Sequence, residues 1–222
     1  RGMRAALGIA VAVCALWLSS PAQAADTVVD LSGAVPDDGL RHFFIELEVP
    51  TGIKEIEIAH DDLSADNILD WGLLDEKGAF RGWGGGNSEN AVVGEAAASR
   101  SYLPGPIGAG KWKIVVGKAK IKQTPASYSV QVTMRDLATL PPQTTRTPYK
   151  AVAPLLTETR WYAGDFHVHS IESGDAKPPL DEIAAFAKGR KLDFVMLSDH
   201  NTVSQLDFYS VAQKQHPDLL FL

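Results

Sequence analysis

Gly164-Asp165-Phe166-His167-Val168-His169-Ser170 and Leu197-Ser198-Asp199-His200-Asn201 are the two stretches on which the fold and chemistry of this chain turn. The first reads as a strand. Lys177-Pro178-Pro179 then opens a helix over about residues 180–190. Proline suits a first helical turn, where its missing N–H is not needed. Ile183, Phe186 and Ala187 fall at i, i+3 and i+4 and form one apolar face. Residues 192–197 are a short apolar run, hence a buried strand. A second helix is expected over about residues 203–215, and a third strand begins at residues 219–222. The order β-α-β-α-β is the grammar of a parallel sheet or barrel with its helices outside.

The polar residues fall into place on that frame. Side chains alternate along a strand, so His167 and His169 share one face and Phe166 and Val168 the other. The two imidazoles lie about 7 Å apart along such a strand and can converge on a metal. His200 follows His169 by 31 residues. Two parallel strands joined by one helix need about that length. His200 is therefore expected beside His169 at the C-terminal edge of the sheet, where barrel enzymes keep their active sites. Three of the six histidines thus meet in one place. His42, His60 and His216 have no such partners, and His216, just before Pro217, reads as a helix-terminus residue.

Upstream the pattern changes to period-two alternation. Phe43-Phe44-Ile45-Glu46-Leu47-Glu48-Val49, Ile53-Lys54-Glu55-Ile56-Glu57-Ile58, Trp112-Lys113-Ile114-Val115-Val116 and Tyr128-Ser129-Val130-Gln131-Val132-Thr133-Met134 read as strands with one buried face. Several short strands between Gly, Pro and Asp turns predict an antiparallel β-sandwich over residues 26–136. Residues 137–158 are rich in Pro and Thr and read as a linker. The acidic cluster Asp61-Asp62, Asp66 and Asp70 lacks the spacing of a calcium loop and reads as a solvated loop. Gly84-Gly85-Gly86 lacks the Lys-Ser/Thr ending of a phosphate loop and reads as a turn.

Residues 1–25 stand apart. Met3-Arg4 precede an apolar or small run of about 14 residues, and Ser19-Ser20-Pro21-Ala22-Gln23-Ala24 ends in an Ala-x-Ala pattern. These are the three parts of a secretory signal. The run is shorter than the ~20 residues of a comfortable membrane span, which disfavours an uncleaved anchor. Export to the periplasm or the extracellular space is expected, with no membrane association after cleavage. The only cysteine, Cys14, would leave with the signal. Disulfides, a thiol nucleophile and thiolate ligands are then excluded, and a metal must sit on His, Asp and Glu, a set that suits zinc, manganese or iron. The net charge of −6 argues against nucleic acid as a partner. A chain of 222 residues with 45% hydrophobic and 22% charged residues is ordinary globular material for one or two domains.

With these motifs on the page, residues 160–222 resemble the PHP (polymerase and histidinol phosphatase) superfamily. Gly164-Asp165-Phe166-His167-Val168-His169-Ser170 resembles its first motif and Leu197-Ser198-Asp199-His200-Asn201 its second, while Glu172-Ser173-Gly174-Asp175-Ala176 is similar to the CehA/McbA-type branch, named for carbaryl and carbofuran hydrolases. The resemblance implies a distorted seven-stranded (β/α)7 barrel holding two or three divalent metals. It implies His167, His169 and His200 as metal ligands, with Asp175 as a further one. The family often carries that acid one residue earlier, where this chain has Gly174. Asp165 and Asp199 are implied as carboxylates that orient the imidazoles. The sandwich resembles the pre-peptidase C-terminal type, through Val49-Pro50-Thr51-Gly52, Leu73-Leu74-Asp75-Glu76-Lys77-Gly78, Phe80-Arg81-Gly82-Trp83, and Tyr102-Leu103-Pro104-Gly105-Pro106 before Gly110-Lys111-Trp112. Such modules accompany secreted hydrolases and are not themselves catalytic.

The expected organisation is thus a signal peptide over residues 1–25, a sandwich over 26–136, a linker over 137–158 and the start of a barrel over 159–222. Closing such a barrel takes ~200 residues or more, so the chain reads as the truncated front portion of a longer gene product. Arg1-Gly2 ahead of Met3 reads as sequence upstream of the start. The implied activity is hydrolysis of a small-molecule phosphoester or a carboxyl or carbamate ester by metal-activated water. No Gly-x-Ser-x-Gly elbow competes with that reading. The truncated chain alone is expected to be inactive, because the family's later ligands lie beyond it. Two other readings stay open: an amidohydrolase-type barrel, which also places His-x-His on its first strand, and a non-catalytic secreted protein that binds through its sandwich.

The signal reading carries a direct prediction. Mass spectrometry of the exported protein should find a mature N-terminus at or next to Ala25. Retention of residues 3–24 on a membrane-held protein would refute it.

Overall fold

The computed structural model describes residues 26–60, 66–85 and 88–222. The predicted signal, the Asp61-Asp62 part of the acidic cluster and Gly86 lie outside the described residues. Eight strands come first: β1 (Thr27–Ala34), β2 (His42–Val49), β3 (Glu55–His60), β4 (Asn67–Leu74), β5 (Phe80–Trp83), β6 (Ala91–Gly94), β7 (Gly110–Ile121) and β8 (Ser127–Arg135). They form two four-stranded sheets of order β1-β8-β3-β6 and β2-β7-β4-β5. Every pairing in them is antiparallel.

The alternation seen in the sequence explains the packing. In β2, Ile45, Leu47 and Val49 are buried while Phe44, Glu46 and Glu48 face out. Both sheets supply one core: Ile56, Ile58, Val93, Val130, Val132 and Met134 from the first, Leu69, Trp71, Leu73, Trp112, Ile114 and Val116 from the second. This is a β-sandwich in which one face of each sheet is dry.

Residues 137–158 carry no strand or helix, as composition suggests, yet they are tied down. The buried Glu55 carboxylate accepts from Thr139 N, Thr139 Oγ1 and Leu140 N at 3.0, 2.6 and 3.0 Å. It also pairs with Arg135 at 3.1 Å. A buried carboxylate without such donors would be strongly destabilising. The sandwich therefore fixes the start of the connecting segment.

The rest of the chain is β9 (Gly164–Val168), α1 (Leu180–Gly189), β10 (Phe194–Leu197), α2 (Leu206–Gln215) and β11 (Leu220–Phe221). The three strands form a parallel sheet of order β11-β10-β9. It is an open sheet, with a core of its own built from Ile183, Ala184, Ala187, Val195, Leu197, Tyr209, Ala212, Leu219 and Phe221. The buried face of α1 is Ile183, Ala184 and Ala187; Phe186, expected on it, is 62% exposed, with Arg190 over its ring. The reason is that β9 is an edge strand, and the groove along it, lined by His167, Val168, Ile183 and Phe186, has nothing over it among the described residues. At the N-terminal edge Arg160 forms a bidentate pair with Asp193 at 2.7 and 3.1 Å, joining the lead-in of β9 to that of β10. Gly164 fits there because a Cβ would lie 2.3 Å from the Phe194 ring. Among the described residues no helix is long and apolar enough to cross a membrane.

The sandwich core makes a quantitative expectation. Trp112 is fully buried and its Nε1 donates to Gly108 O at 2.8 Å. Trp112→Ala should destabilise the sandwich by about 3–5 kcal/mol, read as a lowered midpoint in chemical denaturation. An unchanged midpoint would contradict this packing.

Candidate metal centre

The site is built where β9 and β10 end. Val168 pairs with Leu197, so both strands stop side by side and hand over to loops at one edge. His169 follows the first strand and Ser198-Asp199-His200 the second. Their rings meet edge to face, with centroids 4.5 Å apart. Asp175, returning from the loop after β9, sits between them. Its Oδ1 lies 3.3 Å from His169 Nδ1 and its Oδ2 3.4 Å from His200 Nε2. One ligand atom from each of His169, Asp175 and His200 lies within 4.8 Å of the others.

His167 occupies a different position. Between Asp165 and Val168 the register against β10 slips by one residue, which puts a bulge into β9 at Phe166-His167. Bulges re-aim side chains and break strict alternation. Asp165, Phe166 and His167 are all exposed here. The His167 ring stands 5.1 Å from that of His169, outside the three-residue group.

The two carboxylates expected near the metal or behind its ligands, Asp165 and Asp199, bind backbone and hydroxyl donors. Asp165 Oδ1 accepts from His167 N at 2.9 Å. Asp199 accepts from Ser170 N at 2.6 Å and Ser170 Oγ at 2.5 Å, which stitches the loop after β10 to the loop after β9. Ser173 continues the stitching: its Oγ donates to Asp175 Oδ1 at 2.6 Å and accepts from His200 N at 3.1 Å. Ser173 and Ser170 had no marker in the sequence beyond their place inside the motifs.

Electrostatics favour an anion at Asp175. The hydrogen bond from Ser173 holds its carboxyl below the usual carboxylate range, the His169 imidazole adds to this, and partial burial opposes both. The stability this contributes is full above the ordinary aspartate value and is lost as pH falls through the lowered one. His169 Nε2 is buried and makes no hydrogen bond. Trp71 Nε1 and Trp83 Nε1 are bare in the same way, but of the three only His169 lies beside a second imidazole and a carboxylate. Two imidazoles and one carboxylate are the donor set of zinc, manganese or iron sites, so the residues present fit a divalent ion.

The remaining histidines lie elsewhere. His42 packs edge-on against Trp83, His60 stacks on Trp71, and His216 caps α2 with its Nε2 3.0 Å from Asp181. Asn201, just after His200, takes a left-handed φ of 54°. Compared with known proteins, the chain matches no family model and no curated sequence.

This geometry ranks the candidate ligands. After equilibrium dialysis against zinc, the 222-residue protein should lose bound metal in the His169→Ala, Asp175→Ala and His200→Ala variants and keep more of it in His167→Ala. Equal retention by all four would contradict the ranking.

Proposed function

We propose that this chain belongs to an exported, metal-dependent hydrolase of the PHP type that cleaves a small phosphoester or a carboxyl or carbamate ester. The observation that carries the reading is the convergence of His169, Asp175 and His200, from two successive strand-end loops of a parallel sheet, within 4.8 Å. The bare Nε2 of His169 supports it. His167 is the neighbouring ligand, available to a second ion across the bulge.

The chemistry supplied on loading is Lewis acidity, which activates water near neutral pH and polarises the phosphoryl or carbonyl oxygen under attack. The chain's own residues do the rest. Asp175 supplies a fixed negative charge and keeps both imidazoles turned toward one point. Ser173 holds that carboxylate and the His200 backbone together, and Asp199 keeps the two loops in register through Ser170. Carboxylates and hydroxyls in such supporting roles fix ligand orientation and tune affinity.

The test is metal analysis with an esterase and phosphoesterase panel on the protein and its His169→Ala and His200→Ala variants. Turnover should require metal and fall at least 100-fold in each variant, by loss of an ion whose ligand is deleted. Full metal content with full activity in either variant would overturn the assignment.

A further inference from the structure

Both loops of the candidate metal centre are fastened to the same residue of the sandwich. Ser101 is fully buried and takes a left-handed φ of 69°. Its backbone N–H donates to Glu172 Oε2 at 2.8 Å, and its Oγ donates to Glu172 O at 2.6 Å. Its carbonyl accepts from Thr202 Oγ1 at 3.1 Å. Glu172 belongs to the loop that carries Ser170, Ser173 and Asp175. Thr202 belongs to the loop that carries Asp199 and His200. Ser204 closes the circuit: its Oγ donates to Glu172 Oε2 at 2.6 Å, and its N–H donates to Thr202 Oγ1 at 3.2 Å.

The connecting segment completes the charge balance. Arg146 lies 3.9 Å from Glu172 Oε2 and donates to Tyr102 O at 3.0 Å, to Ala98 O at 3.3 Å and to Asp207 at 3.3 Å. Its guanidinium also lies over the Phe208 ring. Gly82 leaves room for the turn at Ser101, since a Cβ there would meet Ser101 O at 2.5 Å. A buried carboxylate is tolerated only where donors and a counter-charge surround it. Here one donor to Glu172 Oε2 comes from its own unit, Ser204, and the other from the sandwich.

We propose that Ser101, Glu172 and Thr202 form a latch through which the sandwich positions the two metal-bearing loops. The proposal rests on the metal reading above and deepens it: these are positioning residues, and none of them is a ligand. The sandwich is then a working part of the site and not a detached binding module. The loops themselves are short and largely polar, so directional bonds to a rigid sheet decide where Asp175 and His200 stand.

The experiment uses the whole 222-residue protein as wild type, Glu172→Ala, Glu172→Gln and Thr202→Val. Amide hydrogen exchange is followed first without metal, over residues 170–176 and 198–204. Glu172→Ala should speed exchange about tenfold or more in both loops while β7 and β8 keep their protection. Glu172→Gln retains an acceptor oxygen and should restore most of it. Cobalt(II) titration follows, read by its visible absorption. Affinity should fall about 10-fold or more in Glu172→Ala, several-fold in Thr202→Val, and recover in Glu172→Gln. If exchange in either loop is unchanged in Glu172→Ala, the latch is wrong. If exchange rises but cobalt affinity and spectrum match the wild type, the contact is only structural and the proposal falls. If Glu172→Ala does not fold, Thr202→Val decides by the same two readings. A wild type that binds no cobalt sinks the metal reading alone, and the exchange comparison still judges the latch.

Discussion

The parallel register of β9 on β10 is the constraint on which the site depends. With Val168 opposite Leu197, the next residues of both strands leave the sheet together, and His169 and His200 meet without any long excursion. Nothing in the short strands alone would hold that register, because each offers only four or five residues. It is held at both ends. Arg160 and Asp193 clamp the N-terminal edge, and Asp199 binds Ser170 through backbone and hydroxyl at the C-terminal edge. Hydrogen bonds to an ionised carboxylate are the stronger kind. A slip by one residue would send an imidazole to the wrong face of the sheet.

The two units solve burial differently. The sandwich relies on apolar area, with Trp71 and Trp112 between its sheets. The parallel unit has a smaller core under α1 and α2, and Phe166 and Phe186 stand exposed along its free edge. Between the units the contacts described above are polar. Glu55 anchors the connecting segment at one end, and Arg146 sits among the carbonyls of Ala98, Ser99 and Tyr102 near the other. The two cores do not merge.

Much of this was readable before any coordinates. Alternation in β2, β3, β7 and β8 announced the sandwich, and His-x-His followed by Asp-His announced the edge of the parallel sheet. Other strands gave weaker signals for physical reasons. β4 buries residues at most of its positions, so it has no period-two pattern, and the best-buried side chains of β1, Val29 and Leu31, are only partly covered. The bulge at His167 depends on pairing with β10, which no local pattern encodes. The Pro and Thr content of residues 137–158 reads as a linker, and the stretch carries no strand or helix. That composition cannot say that one arginine in that stretch ends up buried between two units, because its partners are carbonyls far away in sequence. The roles of Asp165 and Asp199 were hidden likewise: both were expected near imidazoles, and both bind backbone N–H groups.

The polar character of the junction bears on the interchangeability of parts. An apolar junction tolerates many partners of roughly matching shape, since area has no direction. The contact at Ser101 is directional, set by a left-handed turn, and it faces a buried carboxylate. A different sandwich grafted at the same boundary, however close in outline, would leave the buried Glu172 short of a donor. Recombination between such modules would therefore have to carry the residue 98–105 turn along with the parallel unit, so that the heritable unit is the turn and the two loops together, and the visible domain boundary is not where the chain can be cut.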